Sequence, residues 1–343
     1  MIVENNKFNA EFCLIWKRIF RAITYFIRYN SAKKLVNLLL IEYERMIRKK
    51  CIKGFPYFIK VDVTNQCDLG CKCCIRQNLS YPSGAIDNTN FKRIIDINRN
   101  YVYMVALHFL GEPLFNNNIY DMIGYAHHNK IATYISTNLQ NFKEEDARKL
   151  ILSGLDLLTI SLDGASEQTY KRYRKRGNLD KVFKNIDVIV KEKKKLKKRY
   201  PEINIQFMVM EHNEHEINQM KKIAADLGVD TLEFKPLGTF DRSLLPQNNK
   251  YIRRVYKREN LKRRTCWWLW SAMVILWDGR VIPCCMAREI KSTGNLFKQG
   301  IDEVKNDAFY QELRTTVRLN NKAAHEFCKD CIIPYGNFMY QTI

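Results

Sequence analysis

Val61-Asp-Val-Thr-Asn-Gln-Cys67-Asp-Leu-Gly-Cys71-Lys-Cys73-Cys74 decides how the rest of this 343-residue chain is read. An extended apolar run, Phe58 to Val63, feeds a short loop carrying four cysteines. Cys67, Cys71 and Cys74 stand at a C-x3-C-x2-C spacing. Three thiolates on one loop can hold three corners of a cubane iron–sulfur cluster and leave the fourth iron open, as a catalytic zinc keeps an open position. A structural zinc site, or simply buried thiols, is the plainer reading, because short cysteine clusters take zinc readily. Cys67, Cys71 and Cys73 form a second triple that the bare spacing allows.

Hydrophobic residues make up 46% of the chain, enough for a sizeable core and too many for wholesale disorder. All eleven cysteines but Cys13 and Cys51 fall in two groups, which argues for metal ligation over a secreted disulfide framework. Met1 to Ala10 is polar and carries Glu4, so no cleavable signal is expected. The candidate run Leu35 to Ile41 falls well short of the ~18 residues a membrane span needs. The expected placement is cytoplasmic, with contact on the inner face of a membrane as an option. A formal charge of +21 invites nucleic acid as a partner. Its distribution argues otherwise: Lys191 to Arg199 and Lys257 to Arg264 lack interleaved stacking aromatics, so none is expected.

Residues 8–50 read as two amphipathic helices within a basic region, 1–55. The first carries Phe12, Ile15, Trp16, Ile19, Ile23, Phe26 and Ile27 at helical spacing. The second is capped by Ser31 and sets Leu35, Leu39, Tyr43 and Met46 on one side. Such helices either lie in a membrane interface or pack on the main domain. From 56 to 238, strands at 58–63, 101–109, 131–136, 156–162, 203–210 and 231–236 alternate with helices at 89–98, 118–128, 143–153, 166–198 (broken at Gly177) and 215–227. This alternation predicts an α/β protein with a parallel sheet covered by helices. Residues 239–265 read as a linker or covering segment. His212, His215 and Glu216 lack the order of a helical zinc motif and read as a helix start, with Asn213 as its cap.

The ends of successive strands carry further signals. Gly111-Glu112-Pro113-Leu114 follows the second strand, Ser136-Thr137-Asn138 the third, and Ser161-Leu162-Asp163-Gly164 the fourth, with Tyr170 and Arg174 beyond. Together with Cys67, Cys71 and Cys74 after the first strand, this series resembles the radical S-adenosylmethionine (radical SAM) family, which implies a partial (β/α)6 TIM-like barrel. Active sites in such barrels sit at the C-terminal ends of the strands. The resemblance further implies a 4Fe–4S cluster with an open iron. SAM would then be bound by Gly111, Glu112 and Pro113 at its ammonium, by Ser136, Asn138, Ser161 and Asp163 along its body, and by Arg174 at its carboxylate. Leu110 replaces the family's first glycine of the second motif, and Cys73 stands where an aromatic residue often precedes the third cysteine.

Beyond residue 265 a small cysteine-rich C-terminal region, 266–343, begins. Val274–Trp277 and Arg280–Pro283 flank Asp278-Gly279, a hairpin signal. A helix is expected over 302–319, ahead of Cys328-x2-Cys331. This resembles the SPASM/twitch extension of radical SAM enzymes, and implies one auxiliary 4Fe–4S cluster on Cys266, Cys284, Cys328 and Cys331, with Cys285 as an alternative to Cys284. Four cysteines with these gaps also suit a zinc ribbon. Four of the five tryptophans lie between Trp267 and Trp277, where they pack the region or shield a cluster from water.

The family resemblance implies reductive cleavage of SAM to a 5′-deoxyadenosyl radical that takes a substrate hydrogen atom, fed by an electron donor such as flavodoxin or ferredoxin. It leaves the substrate open. A sugar or lipid-linked glycan intermediate, oxidised or epimerised, fits the single auxiliary cluster and the interfacial-looking helices. Maturation of a ribosomally made peptide is the alternative, although the first 55 residues hold no strand-rich module to grip a leader. A non-enzymatic, metal-stabilised binding module leaves the order of the strand-end motifs unexplained. The catalytic base or hydrogen donor is not assignable from the residues.

Overall fold

The computed structural model describes residues 20–79, 81–238, 241–252, 266–285, 290–319 and 325–328. Phe12, Ile15, Trp16 and Ile19 of the first expected helix, the basic run 257–264 and Cys331 lie outside the described residues.

Two helices lead: α1 over 20–29, and α2 (Ala32–Met46), whose N-cap Ser31 accepts from the Lys34 amide at 3.3 Å as expected. Alternating strands and helices follow: β1 (Phe58–Val61), α3 (Asn88–Asn98), β2 (Met104–Ala106), α4 (Ile119–His128), β3 (Ala132–Thr137), α5 (Ala147–Leu152), β4 (Leu157–Ser161), α6 (Glu167–Tyr173), α7 (Leu179–Lys195), β5 (Glu202–Val209), α8 (Ile217–Leu227) and β6 (Thr231–Pro236). Strand β2 is far shorter than the expected 101–109. Its first residues are still held by the end of α3, since the Tyr101 and Val102 amides both donate to Asn98 O. Asn213 does not cap α8. Its side chain accepts from the Met210 amide and donates to the carbonyls of Asp163 and Met208, tying β5 to the end of β4.

Strands β1 to β6 pair in parallel in chain order, so each must be recrossed by a helix. Their outward side chains, among them Ile59, Val61, Val105, Ile135, Ile160 and Ile205, are fully buried under the helices. Helix α7 shows the logic on the other layer. Leu179, Val182, Ile186, Ile189 and Val190 form its buried stripe, each contributing about 1.5–3 kcal/mol. Its lysines at 191, 194 and 195 are exposed, so the basic run there is a solvated helix end.

The C-terminal hairpin is not a detached domain. After α9 (Trp268–Ser271), β7 (Ala272–Ile275) pairs in parallel with the free edge of β1, from Phe58↔Ala272 to Val61↔Ile275. β8 (Val281–Ile282) then pairs antiparallel with β7, giving one eight-stranded sheet, β6-β5-β4-β3-β2-β1-β7-β8. Gly279 makes the turn with φ +84°, a conformation side chains resist. The helix expected over 302–319 is broken into α10 (Ile301–Lys305) and α11 (Ala308–Arg318). Asp307 caps α11 through the Phe309 amide, while Asn306 turns back to bond Ile52.

Candidate active site

Beyond β1 the chain crosses the C-terminal mouth of the sheet, and this crossing is the cysteine loop. It is docked on the segment after α6: the Gly70 amide donates to Lys175 O and the Lys72 amide to Tyr173 O. Within it, Cys74 N donates to Cys71 O, and Gln77 Nε2 donates to the same carbonyl at 2.7 Å. Leu244, from the segment read as a linker, is buried with Leu69, Cys71, Tyr173 and Met210, so this stretch covers the loop.

Gly111 explains why the second motif lies against this loop. A Cβ there would meet Thr64 O at 2.2 Å and Gln66 O at 2.6 Å, and the Glu112 amide donates to Gln66 O at 2.7 Å. Glycine serves close packing of two backbones here. Glu112 is turned into the fold: its carboxylate accepts from Thr137 Oγ1 (2.6 Å), the Asn138 amide (2.7 Å) and the Leu114 amide (3.1 Å). Burial pushes it up to about 7, against the opposing pull of those donors. These three bonds also brace β3 against the motif, a role beside the ammonium contact that the resemblance implies. Pro113 is buried at the start of the following turn.

Asn138, held by that brace, donates through Nδ2 to Asp68 Oδ1 at 2.9 Å and toward Cys67 Sγ at 3.6 Å. Arg174 donates through Nη1 toward Cys71 Sγ at 3.6 Å. Its Nε and Nη2 lie 2.7 and 2.5 Å from Asp163 Oδ2, and Asp163 Oδ1 accepts from the Met208 amide. Arg174 thus links Asp163 to a loop thiol, a bracing role beside the carboxylate contact that the resemblance implies. The reason is proximity, since α6 ends directly on the cysteine loop. Ser136 and Ser161 stand side by side on β3 and β4 with hydroxyls 3.3 Å apart.

These contacts test whether the loop suits a cluster. Cys67, Cys71 and Cys74 are in no disulfide. Among the described residues, no three His, Cys, Asp or Glu side chains gather closely enough for a single metal ion. A cube takes each thiolate at a separate corner, and N–H groups aimed at sulfur stabilise thiolate charge. Burial pushes the Cys67 thiol up to about 12 and raises that of Cys71, with Arg174 opposing the second shift. Buried thiolates of this kind call for a cationic partner. The donor set fits a cluster held by Cys67, Cys71 and Cys74. A cleft of about 310 Å³, bordered by Asn65, Gln66, Cys67, Arg76, Tyr81 and Leu110, opens beside it.

The sheet's inner face leads from this mouth to the second cysteine group. Phe58, Ala106, Ala272, Val274 and Ile282 form an inward cluster, and Cys266, Cys284 and Cys285 pack against it. Because β7 runs parallel to β1, Cys266 precedes β7 at the end of the sheet opposite Cys67. Cys284 returns to that same end along β8. One strand, about 13 Å for four residues, lies between the two groups. Tryptophans 267 and 268 cross edge to face at 5.4 Å against Phe58 and close this end.

Several inward residues escaped the sequence reading. Asp62 is fully buried, accepts from the Leu110 amide at 2.9 Å, and is pushed by burial up to about 7. His108 accepts from the Ser136 amide and meets the Tyr134 ring edge to face; burial holds it well below its ordinary value. Lys235 bonds Gln206 Oε1 at 2.8 Å. The two-residue period that places Phe58 inward would have found Lys60 and Asp62 as its inward successors.

Comparison with known proteins agrees with this geometry. Residues 61–224 match the radical SAM superfamily, and residues 266–332 match the SPASM iron–sulfur cluster-binding domain. The tungsten-containing aldehyde ferredoxin oxidoreductase cofactor-modifying protein of Pyrococcus furiosus is 23% identical over 252 residues, 66% of this chain and 70% of that protein. The mycofactocin maturase MftC of Mycolicibacterium smegmatis is 24% identical over half of this chain and 43% of its own length. Streptococcus suis SuiB, solved with its precursor peptide SuiA, superposes with a TM-score of 0.62 at 17% identity, over 76% of this chain and 67% of SuiB. The fold and site define an iron–sulfur enzyme built on a partial TIM-like barrel. The chain belongs to the radical SAM superfamily and carries a SPASM domain; its cofactors are a 4Fe–4S cluster, SAM and auxiliary iron–sulfur.

Proposed function

We propose that the enzyme oxidises a peptide substrate held inside the barrel, between the cluster loop and the auxiliary cysteines. The observation that carries this reading is the position of Cys67 and of Cys266 and Cys284 beyond opposite ends of the sheet, with His108, Ser136, Ser161, Gln206 and Lys235 as polar side chains on or just beyond the strands between. When bound, the cofactors supply one electron to cleave SAM, a 5′-deoxyadenosyl radical to take a hydrogen atom from an unactivated C–H bond, and an auxiliary acceptor for the second substrate electron. The chain's own residues hold, orient and exclude water. Cys67, Cys71 and Cys74 are the proposed loop ligands, and Cys266, Cys284, Cys328 and Cys331 the proposed auxiliary ligands. Asn138 and Arg174 steady two of the loop sulfurs. Ser136, Ser161, Gln206 and Lys235 supply inward donors for a substrate or for the body of SAM. A one-electron donor of flavodoxin or ferredoxin type completes the balance, and the substrate proton leaves to a base or to water.

A peptide is favoured because SuiB was solved on a precursor peptide and MftC is named a maturase. A lipid-linked sugar is the second reading, and with it peripheral placement on a membrane. The outward apolar faces of α1 and α2 favour it. The test incubates anaerobically reconstituted, reduced enzyme and SAM with short peptides encoded beside its gene. One peptide is expected to lose two hydrogens by mass spectrometry, matched by 5′-deoxyadenosine. Turnover of a polyprenyl-linked sugar with no peptide modified would overturn the peptide reading in favour of the second.

A further inference from the structure

Helix α2 is turned inside out relative to an ordinary surface helix, which buries its apolar stripe and exposes its polar one. Its buried residues are Lys34, Asn37, Ile41 and Glu44. Lys34 Nζ donates to Lys130 O at 2.5 Å, Asn37 pairs with both the amide and the carbonyl of Phe55, and Glu44 accepts from the amides of Lys53 and Gly54. Polar contacts therefore hold the helix on the barrel. Val36 (65%), Leu39 (64%), Tyr43 (59%) and Met46 (72%) face away from it, three or four residues apart. On α1, Phe20 (60%), Ile23 (49%) and Ile27 (74%) repeat that spacing. Of the twelve large hydrophobic residues exposed among the described residues, nine lie on these two helices and a tenth, Ile47, is the C-cap of α2, so the exposure is concentrated and not scattered.

We propose that this face docks the enzyme on an anionic membrane surface. Charge selects that occupant. Residues 20–53 hold nine Lys and Arg against two acids, and both acids are committed to the fold. Glu42 bonds Arg45, the Tyr57 hydroxyl and Ser271, and Glu44 bonds Lys49 and the turn beyond α2. Lys33, Lys50 and Lys53 remain exposed around the apolar stripe. An apolar band edged by lysines matches acyl chains beneath anionic headgroups. A second copy would set these cations against their own equivalents. Among the described residues no helix is long and apolar enough to cross a membrane, so the contact lies in the interface plane. This placement stands whether the substrate is a peptide or a lipid-linked sugar.

The test uses the reconstituted full-length enzyme and vesicles of phosphatidylglycerol with phosphatidylcholine, or of phosphatidylcholine alone. Sedimentation with the anionic vesicles is expected at low salt, weakening as salt screens the charge. The triple variant Val36→Glu, Leu39→Glu, Met46→Glu changes only exposed positions. It should lower partitioning by at least about a hundredfold while its thermal melt and SAM cleavage stay at wild-type values. Failure of the wild type to sediment with anionic vesicles, or equal partitioning by the variant, overturns the proposal. So does a wild-type dimer that the variant dissolves, which would make the face a contact between copies.

Discussion

Cys71→Ala is expected to abolish 5′-deoxyadenosine formation while iron at the far end of the barrel remains. Cys71 is the most buried of the three loop thiols and sits where two supports meet. Its carbonyl receives the Cys74 amide and Gln77, and its sulfur receives Arg174. Alanine keeps the backbone bonds, so the loop keeps its course, but one corner of the cube loses its ligand. Loss should be all-or-none, because the loop offers its open iron only while three thiolates hold the others. The neighbouring Cys73 is the one rescue to check. Retention of wild-type activity in Cys71→Ala, lost only when Cys73 is also replaced, would make Cys73 a ligand. Wild-type activity in the double variant would remove the loop from the reaction.

The second large effect concerns Asp163 and Arg174, whose side chains are 0% and 14% exposed. Removing one partner of such a pair leaves a buried charge uncompensated, which costs about 3–5 kcal/mol. Asp163→Ala should lower the unfolding midpoint accordingly and reduce iron bound at the loop, since Arg174 loses its anchor beside Cys71. Arg174→Lys separates the two roles open to this residue. Lysine keeps the charge but cannot span Asp163 and Cys71 together. A brace predicts lower iron content and a lower midpoint with little change in the KM for SAM. A reader of the SAM carboxylate predicts the reverse: full iron content and a raised KM.

Much of this arrangement was legible beforehand because its signals are local. The parallel strands declare themselves as apolar runs, the cysteine spacing sits on one loop, and Ser31 caps α2 through contacts three residues away. What escaped depends on distant partners. Glu112 and Arg174 are polar residues at strand and helix ends, where a ligand or a buried neighbour is an equal prospect. Only the fold shows that Thr137, Asn138 and Asp163 are their neighbours. The pairing of β7 with β1 joins residues more than two hundred apart, with nothing in either strand to name the other. For α2 the periodicity located the apolar stripe but not its direction. Hydrophobic spacing is the same toward a core or toward a lipid, and the deciding bonds come from Lys130, Phe55 and Gly54.

Metal analysis of anaerobically reconstituted protein, wild type against a Cys67→Ala, Cys71→Ala, Cys74→Ala variant, tests the two-site account most directly. Two cubes at opposite ends of the lumen predict about eight irons per wild-type chain and about four surviving in the variant. One zinc and no iron in the variant would make the far site a zinc ribbon, and would contradict an auxiliary electron acceptor beneath the substrate.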